Sequence, residues 1–287
     1  MNKKNAAIYI VLAMVLFFGV RQVYKPEAVY RQNVQVQAEA RSPLSASTST
    51  LGQKTASVDL GAATKLPAPQ VSDVKPTEQA GSSTAKNSGV ILLEMAFTSQ
   101  SPFGEWGDQR QQDGCEEASA LMAVHWAKGL RTLTKAEAKK EILAITAFEE
   151  KIYHNYVDTS AAGTLKIIIK EYFNYQNALL KDGSDIEAIK RELADGNALI
   201  LPMDGKKLKN PNFKNGGPDR HNIVIRGYDP ATKEFITNDP GTRKGEGYRY
   251  PEKIIESAWR DYPSGDHLPI VGSKKNMIVV MPDVINE

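Results

Sequence analysis

The sequence predicts an α+β domain in which a helical part comes first and an antiparallel sheet second. Four segments with helix-capping signals lie between residues 113 and 196, and short β-compatible runs follow from residue 197 onward. Two of these runs are joined by Asp229-Pro230, a turn dipeptide that is typical of an antiparallel hairpin. Helices grouped ahead of antiparallel strands are typical of the α+β class.

The first 88 residues divide into two segments ahead of this domain. Residues 6–20 form an unbroken apolar run that follows Lys3 and Lys4. This run favours an uncleaved membrane anchor over residues 1–25, with a cleaved signal peptide as the alternative. The lysines predict that the rest of the chain is extracytoplasmic. Residues 26–88 are rich in small and polar residues, which predicts a disordered linker before a globular domain over residues 89–287.

Composition narrows the possible partners and cofactors. The formal net charge of +2 gives no reason to expect a nucleic-acid partner. A single cysteine excludes an intramolecular disulfide, and no His, Cys and acidic residues stand at the spacing of a metal site. Residues 241–250 are glycine-rich and basic but lack the spacing of a phosphate-binding loop. We therefore expect neither a metal nor another cofactor.

The helical part is preceded by a predicted strand over residues 89–97 and a loop over residues 98–112. Asp113 and Glu116 have the spacing of a capping box, so a helix is expected from there to about residue 128. Gly129 supplies its stop signal. The three later helices are expected over residues 134–153, 159–173 and 184–196, with N-caps at Thr134, at Thr159 or Ser160, and at Ser184.

The second part changes to short strands. They are predicted over residues 197–202, 221–228, 233–238 and 276–281, with one helix over residues 251–259. A polar loop over residues 204–220 separates the first two strands. Asp239-Pro240-Gly241 ends the third strand, because proline cannot continue a central ladder.

Cys115, the only cysteine, is expected in the first turn of the first helix. Unpaired backbone N–H groups and the positive end of the helix dipole lower the pKa of a thiol in that position. The neighbouring Glu116 and Glu117 oppose this effect, so a cation from elsewhere in the fold would have to outweigh them. A lone cysteine is more often a buried packing residue, and a catalytic role needs a histidine and a carboxylate or amide downstream.

The predicted hairpin contains both a histidine and a carboxylate. If its turn is centred on the Asp-Pro dipeptide, paired positions sum to about 460–462, so His221 lies opposite Asp239 or Gly241. Asn238 is an alternative partner for His221, but strand alternation sends Asn238 and Asp239 to opposite faces. Cys115, His221 and Asp239 then provide the nucleophile, base and orienting group that thiol catalysis requires.

The sequence also gives expectations for two other histidines and for several glutamines. His125 lies on the apolar stripe of the cysteine helix and is expected to be a packing residue, whereas His154 follows a helix and is expected to be solvated. An oxyanion hole would combine the Cys115 N–H with a side-chain amide. The candidates for that amide are Gln100, Gln109, Gln111 and Gln112.

The sequence resembles the papain-like cysteine peptidases of the bacteriocin-processing type, peptidase family C39, and in particular their stand-alone relatives. The resemblance extends over residues 90–280. It is carried by residues 97–102 (FTSQSP), 115–119 (CEEAS), 217–218 (GP), 221–228 (HNIVIRGY) and 235–242 (FITNDPGT).

This resemblance implies a papain-like fold in which the cysteine helix packs on an antiparallel sheet that carries the histidine and the aspartate. It implies Cys115 as nucleophile, His221 as base and Asp239 as the third member. It also points to Gln100 for the oxyanion hole, whereas the spacing in papain points to Gln109. Many relatives have Cys-Gly-Pro where this chain has Cys-Glu-Glu.

The function expected from these observations is a membrane-tethered extracytoplasmic cysteine peptidase that acts on peptides or protein segments. One alternative keeps the fold and hydrolyses or transfers amide bonds of cell-wall peptides. Another is a non-catalytic peptide-binding module that uses the same cleft. Selective alkylation of Cys115 at neutral pH would favour either enzyme over the binding module.

Overall fold

The computed structural model describes residues 89–183, 185–272 and 274–283. The predicted anchor over residues 1–25 and the predicted linker over residues 26–88 lie outside these ranges. In the described part of the chain, every helix is too short or too polar to cross a lipid bilayer.

Helices and strands follow the predicted α+β order, with the longest helices ahead of most of the sheet. The helices are α1 (Gln109–Gln112), α2 (Cys115–Ala127), α3 (Lys135–Tyr153), α4 (Ala161–Gly163), α5 (Ile186–Ala194), α6 (Gly205–Leu208) and α7 (Glu252–Ala258). A π-helix over Thr164–Tyr172 continues α4, and a 3₁₀ turn over Lys214–Gly216 precedes the hairpin. The strands are β1 (Ile91–Leu92), β2 (Ala178–Asp182), β3 (Ala198–Met203), β4 (His221–Asp229), β5 (Glu234–Asn238), β6 (Tyr248–Pro251) and β7 (Asn276–Val280).

The strands form one antiparallel sheet in the order β2-β7-β3-β4-β5-β6, with β1 added alongside β4. In the β4–β5 hairpin, Val224 lies opposite Asn238, which agrees with the predicted register. A bulge at Arg226 then shifts the pairing, so that Gly227 faces Ile236. The bulge lies between the turn and the open end, so the register at the open end, where His221 lies, is set by the bulge as well as by the turn.

Both faces of the sheet are buried. Ile200 and Val224 point to the cluster formed with α2, α3 and the π-helix, whereas Ile223 and Ile225 point to the cluster formed with α5 and α7. Ile223 and Ile225 thus share one face of the sheet, as alternation along a strand requires. Each such side chain contributes about 1.5–3 kcal/mol through its burial.

The cysteine helix α2 is buried on almost all its sides and packs on β3, β4 and β7 as well as on α3 and the π-helix. Several of its residues are small, which allows close approach to these neighbours: Ala118, Ser119, Ala120 and Ala123. Trp126 is also in this core. Because α2 is held on every side, the position of its first residue relative to the sheet is fixed by packing.

Some predicted elements differ in extent. Only Ile91–Leu92 of the predicted strand over residues 89–97 pairs in the sheet. The chain that follows is held by the Arg226 side chain, which donates to the carbonyl oxygens of Leu93 and Met95 at 3.1 Å each. The strands β2 and β6 and the one-turn helices α1 and α6 were not predicted. They are only four or five residues long, which is too short for a periodic pattern to emerge.

The predicted helix starts were partly right. The capping box at Thr134 is confirmed, because the Glu137 N–H donates to Thr134 Oγ1 at 3.2 Å and the Thr134 N–H donates to the Glu137 carboxylate at 2.8 Å. The third predicted helix is capped by Ser160, one of the two candidates. The fourth is capped by Asp185, whose carboxylate accepts the Ala188 N–H at 2.8 Å, and the predicted cap Ser184 lies outside the described residues.

Candidate active site

Cys115 is the first residue of α2, but the predicted capping box before it is wrong. The N-cap is Gly114, which has no side chain to accept a hydrogen bond. Asp113 instead ends the short helix α1, and its carboxylate accepts a hydrogen bond from the Gln109 side chain. A Cβ atom on Gly114 would lie 2.9 Å from the Arg110 carbonyl oxygen, so this tight junction between two helices requires glycine.

Glu116 turns inward to the sulfur and does not act as a capping residue. The Cys115 thiol donates to Glu116 Oε2 at 2.9 Å, and the backbone N–H of Asn222 faces the sulfur, which lowers the thiol pKa slightly. Burial, followed by the charge and hydrogen bond of Glu116, raises the pKa of the Cys115 thiol well above its usual value. The lowering expected from the helix N-terminus is therefore outweighed in this arrangement.

His221 and Asp239 meet at the open end of the hairpin. His221 is the first residue of β4, Asp239 directly follows β5, and His221 Nε2 lies 2.7 Å from Asp239 Oδ1. Both side chains are almost fully buried. Burial raises the pKa of the Asp239 carboxyl, but the charge and hydrogen bond of His221 and the Tyr250 hydroxyl outweigh it, so the pKa is lowered overall. Asp239 is thus held as a carboxylate beside the imidazole.

The other candidate partner, Asn238, faces away from His221. Its Oδ1 accepts a hydrogen bond from Arg226 at 3.2 Å, and its Nδ2 donates to the Ala96 carbonyl oxygen at 3.3 Å. The predicted alternation of Asn238 and Asp239 is therefore observed, and Asp239 is the partner of the imidazole.

Two side chains that were not predicted from the sequence bind the Asp239 oxygen that does not contact His221. Tyr250 of β6 donates its hydroxyl to Asp239 Oδ2 at 2.6 Å, and Asn210 Nδ2 donates to the same oxygen at 3.2 Å. The Gly241 N–H donates to Asp239 Oδ1 at 3.0 Å. A Cβ atom on Gly241 would lie 2.8 Å from His221 Cε1, so the close approach of this turn to the ring requires glycine.

Gln100 lies between the cysteine side and the aspartate side of the site. Its N–H donates to the Pro240 carbonyl oxygen at 2.9 Å, and its side-chain Nε2 donates to the Gln112 carbonyl oxygen at 2.6 Å. The rival candidate Gln109 is exposed on α1, and its amide binds Asp113. Of these two glutamines, only Gln100 has backbone contact with the turn that carries Asp239.

His125 is buried to the extent that the sequence predicts, and His154 is exposed as predicted. His125 is partly buried on α2, and burial together with the Lys128 charge lowers its pKa to about 4. His154 is exposed at the C-terminus of α3, where it adopts a left-handed conformation with φ of 56°. Among the described residues, no three His, Cys, Asp or Glu side chains are grouped as in a metal site.

A second buried carboxyl lies next to Glu116. Glu117 faces Glu149 of α3, and the two carboxyl groups share a hydrogen bond. Burial and the nearby charge of Glu116 raise the pKa of Glu149 to about 9, and burial also raises the pKa of Glu117 well above its usual value. The pair therefore retains a proton at neutral pH, which keeps the core near α2 from holding two buried charges.

Comparison with known protein families agrees with the resemblance that the sequence motifs indicate. The model of the Peptidase_C39 like family matches residues 93–265, which is more than half of the chain. The chain belongs to this C39-like family. Membership indicates a peptidase, and it confirms the resemblance that the motifs around Cys115, His221 and Asp239 predicted.

One solved structure similar to this C39-like chain is a Bacillus anthracis protein proposed to be a C39-like peptidase. The two share 17% sequence identity, the match covers 67% of this chain and 98% of that one, and the TM-score is 0.42. No curated protein matches the chain.

Proposed function

We propose that this C39-like domain is a cysteine peptidase that hydrolyses peptide bonds with Cys115, His221 and Asp239. The supporting observation is that adjacent residues of β4 contact both halves of the site. The His221 ring binds Asp239 at 2.7 Å, and the backbone N–H of the next residue, Asn222, faces the Cys115 sulfur and favours its thiolate. The sulfur therefore lies against β4 at the residue that follows His221.

The hydrogen bond to Asp239 determines which imidazole nitrogen serves the thiol. Because His221 Nε2 binds the carboxylate, Nδ1 is the nitrogen left for Cys115. In the proposed reaction His221 takes the thiol proton, and the thiolate attacks the peptide carbonyl carbon. His221 then gives the proton to the leaving amine, and water hydrolyses the thioester. Asp239, held as a carboxylate, stabilises the imidazolium formed in between.

The proposed oxyanion hole combines Gln100 with the backbone N–H of Cys115. The Cys115 N–H is in the first turn of α2, where backbone donors have no intrahelical acceptor. The Gln100 amide has two N–H bonds, and the bond to the Gln112 carbonyl oxygen uses one of them. The second N–H is available for the developing negative charge on the substrate oxygen.

A cleavage profile tests this function. We expect the full chain to cleave members of a peptide library and Cys115→Ala to cleave none, because no other thiol exists in the sequence. Ser119→Ala is a matched control, since Ser119 is buried on the same helix one turn away. Equal cleavage by wild type and Cys115→Ala would contradict the thiol mechanism. Cleavage of purified cell wall alone would favour the amidase, and peptide binding without turnover would favour a binding module.

We also propose that residues 1–25 anchor the domain outside the cytoplasm, with residues 26–88 as its linker. The apolar run over residues 6–20 and the preceding Lys3 and Lys4 support this arrangement. We expect the full chain to sediment with membranes and to be digested by protease added outside intact cells. A chain that begins at residue 26 is expected to remain in the soluble fraction. Soluble full-length protein would contradict the anchor.

A further inference from the structure

Glu116 is enclosed beside the Cys115 sulfur, and both of its oxygens have defined partners. Oε1 accepts the Tyr262 hydroxyl at 2.6 Å and the Thr159 N–H at 3.2 Å. Oε2 lies 2.9 Å from Cys115 Sγ. The side chain is only 3% exposed, so water does not compete for these contacts. Segments before α4 and after α7 thus hold a carboxyl group that belongs to α2 against the sulfur.

Together with Cys115 and Glu116, the residues Tyr262 and Asn222 form a closed ring of polar contacts. Asn222 Nδ2 donates to the Tyr262 oxygen at 2.6 Å, which commits the tyrosine O–H to Glu116. The backbone N–H of Asn222 faces the sulfur of Cys115. Glu116 therefore cannot turn away from the sulfur without breaking hydrogen bonds that are buried and hard to replace.

The charges around Glu116 require that it and Cys115 hold a proton between them. A thiolate and a carboxylate in direct contact repel each other, and no water screens them in this site. Oε1 already accepts two hydrogen bonds, so the proton lies between Sγ and Oε2. The titratable groups that face Glu116, besides Cys115, are Glu117 on α2, Glu149 on α3, Asp158 before α4 and Tyr262 after α7. Arg220 pairs with Asp158, with 3.2 Å between Nε and Oδ2, and so does not neutralise Glu116 directly.

We propose that Glu116 retains the thiol proton of Cys115 in the resting domain, and so determines the pH at which the sulfur becomes a nucleophile. The inference rests on the proposed function of Cys115 as the attacking group. Glu116 acts through Cys115 and is a positioning residue, anchored by Tyr262. The proton reaches His221 only when it is released from the bond to Glu116. The acid next to the cysteine thereby restrains a nucleophile that the helix N-terminus would otherwise activate.

The rate of alkylation of Cys115 by iodoacetamide at different pH values tests this role, because the chain has no other cysteine. We expect Glu116→Gln to lower the pH midpoint of alkylation by about one unit or more, as removal of a directly contacting charge does. Glutamine keeps an oxygen for Tyr262, so the ring is retained. Glu117→Gln is the matched control and is expected to move the midpoint much less, because Glu117 shares its hydrogen bond with Glu149.

Glu116→Asp provides a second variant in case the glutamine disturbs folding. It keeps the charge but withdraws it from the sulfur by one methylene, so a smaller shift in the same direction is expected. An unchanged or higher midpoint in the folded variants would overturn the proposal. Slower alkylation of Glu116→Gln at every pH would also overturn it, since Glu116 would then be the base. Alkylation does not require turnover, so failure of peptide cleavage would be seen separately from failure of this proposal.

Discussion

Replacement of His221 by glutamine is expected to abolish peptide cleavage and leave the domain folded. Glutamine can still donate to the Asp239 carboxylate, which His221 Nε2 contacts at 2.7 Å, so the buried pair keeps a hydrogen bond. It cannot take the thiol proton or become a cation beside Asp239. The loss in kcat/KM should be about 10⁴-fold or more, as for the loss of a base that acts as a unit with its nucleophile. Initial rates on the best library peptide measure this effect.

His125→Gln is the matched control for that measurement. His125 is also partly buried, but it lies within α2, and burial lowers its pKa to about 4, so it is neutral at working pH. We expect this variant to retain its activity per folded molecule. Comparable losses in both variants would show that the effect of His221→Gln reflects general damage to the fold. Nearly full activity in His221→Gln would exclude His221 as the base.

Replacement of Glu149 by glutamine is expected to stabilise the domain at alkaline pH. Glu149 is fully buried on α3 beside Glu117, and its carboxyl oxygens have no other hydrogen-bond partner among the described residues. Burial and the charge of Glu116 raise the pKa of Glu149 from 4.5 to about 9. In the unfolded chain the group ionises freely at its ordinary pKa, whereas the folded domain must keep it protonated.

The direction of the pH effect follows from this raised pKa. The contribution of Glu149 to stability is complete below its unfolded pKa of 4.5 and is lost as pH rises toward its folded pKa of about 9. Over that window each retained proton lowers the free energy of unfolding by about 1.4 kcal/mol per pH unit. The wild-type curve should therefore fall with pH, and the Glu149→Gln curve should fall less steeply.

Urea unfolding at several pH values between 5 and 9 measures these curves. Glu150→Gln is a suitable control, because Glu150 is the next residue on α3 and is exposed. Its curve is expected to run parallel to the wild-type curve. If the Glu149→Gln curve were also parallel, the buried carboxyl would not retain a proton in the folded state.

Local signals in the sequence were sufficient for much of the site. The turn dipeptide predicts a hairpin whose open end brings His221 to Asp239, and the two side chains meet there, although a bulge that was not predicted shifts the register by one residue. Alternation along the strand likewise separated Asn238 from Asp239. The start of a helix at Cys115 was also predicted, although its N-cap is Gly114 and not Asp113. Each of these features depends on residues that are close in the chain or joined by a short turn.

Features that depend on distant residues were not predicted. Tyr250 and Asn210 hold Asp239, yet they stand 11 and 29 residues from it, and β6 is too short to be recognised by its pattern. The direction of Glu116 was also missed. Spacing alone predicts a capping role, whereas the Glu116 carboxylate accepts a hydrogen bond from the Tyr262 hydroxyl, 146 residues away.

The sequence by itself determined the α+β class, the cysteine near a helix start and the His221–Asp239 hairpin, because periodicity and turns are short-range, and its motifs carried the resemblance to the family. Only the tertiary structure decided the protonation of the site. The pKa of the Cys115 thiol depends on burial and on the charges that surround it, and chain segments far apart in the sequence supply both. A cysteine that its own helix would make more acidic is therefore held as a thiol by the fold around it.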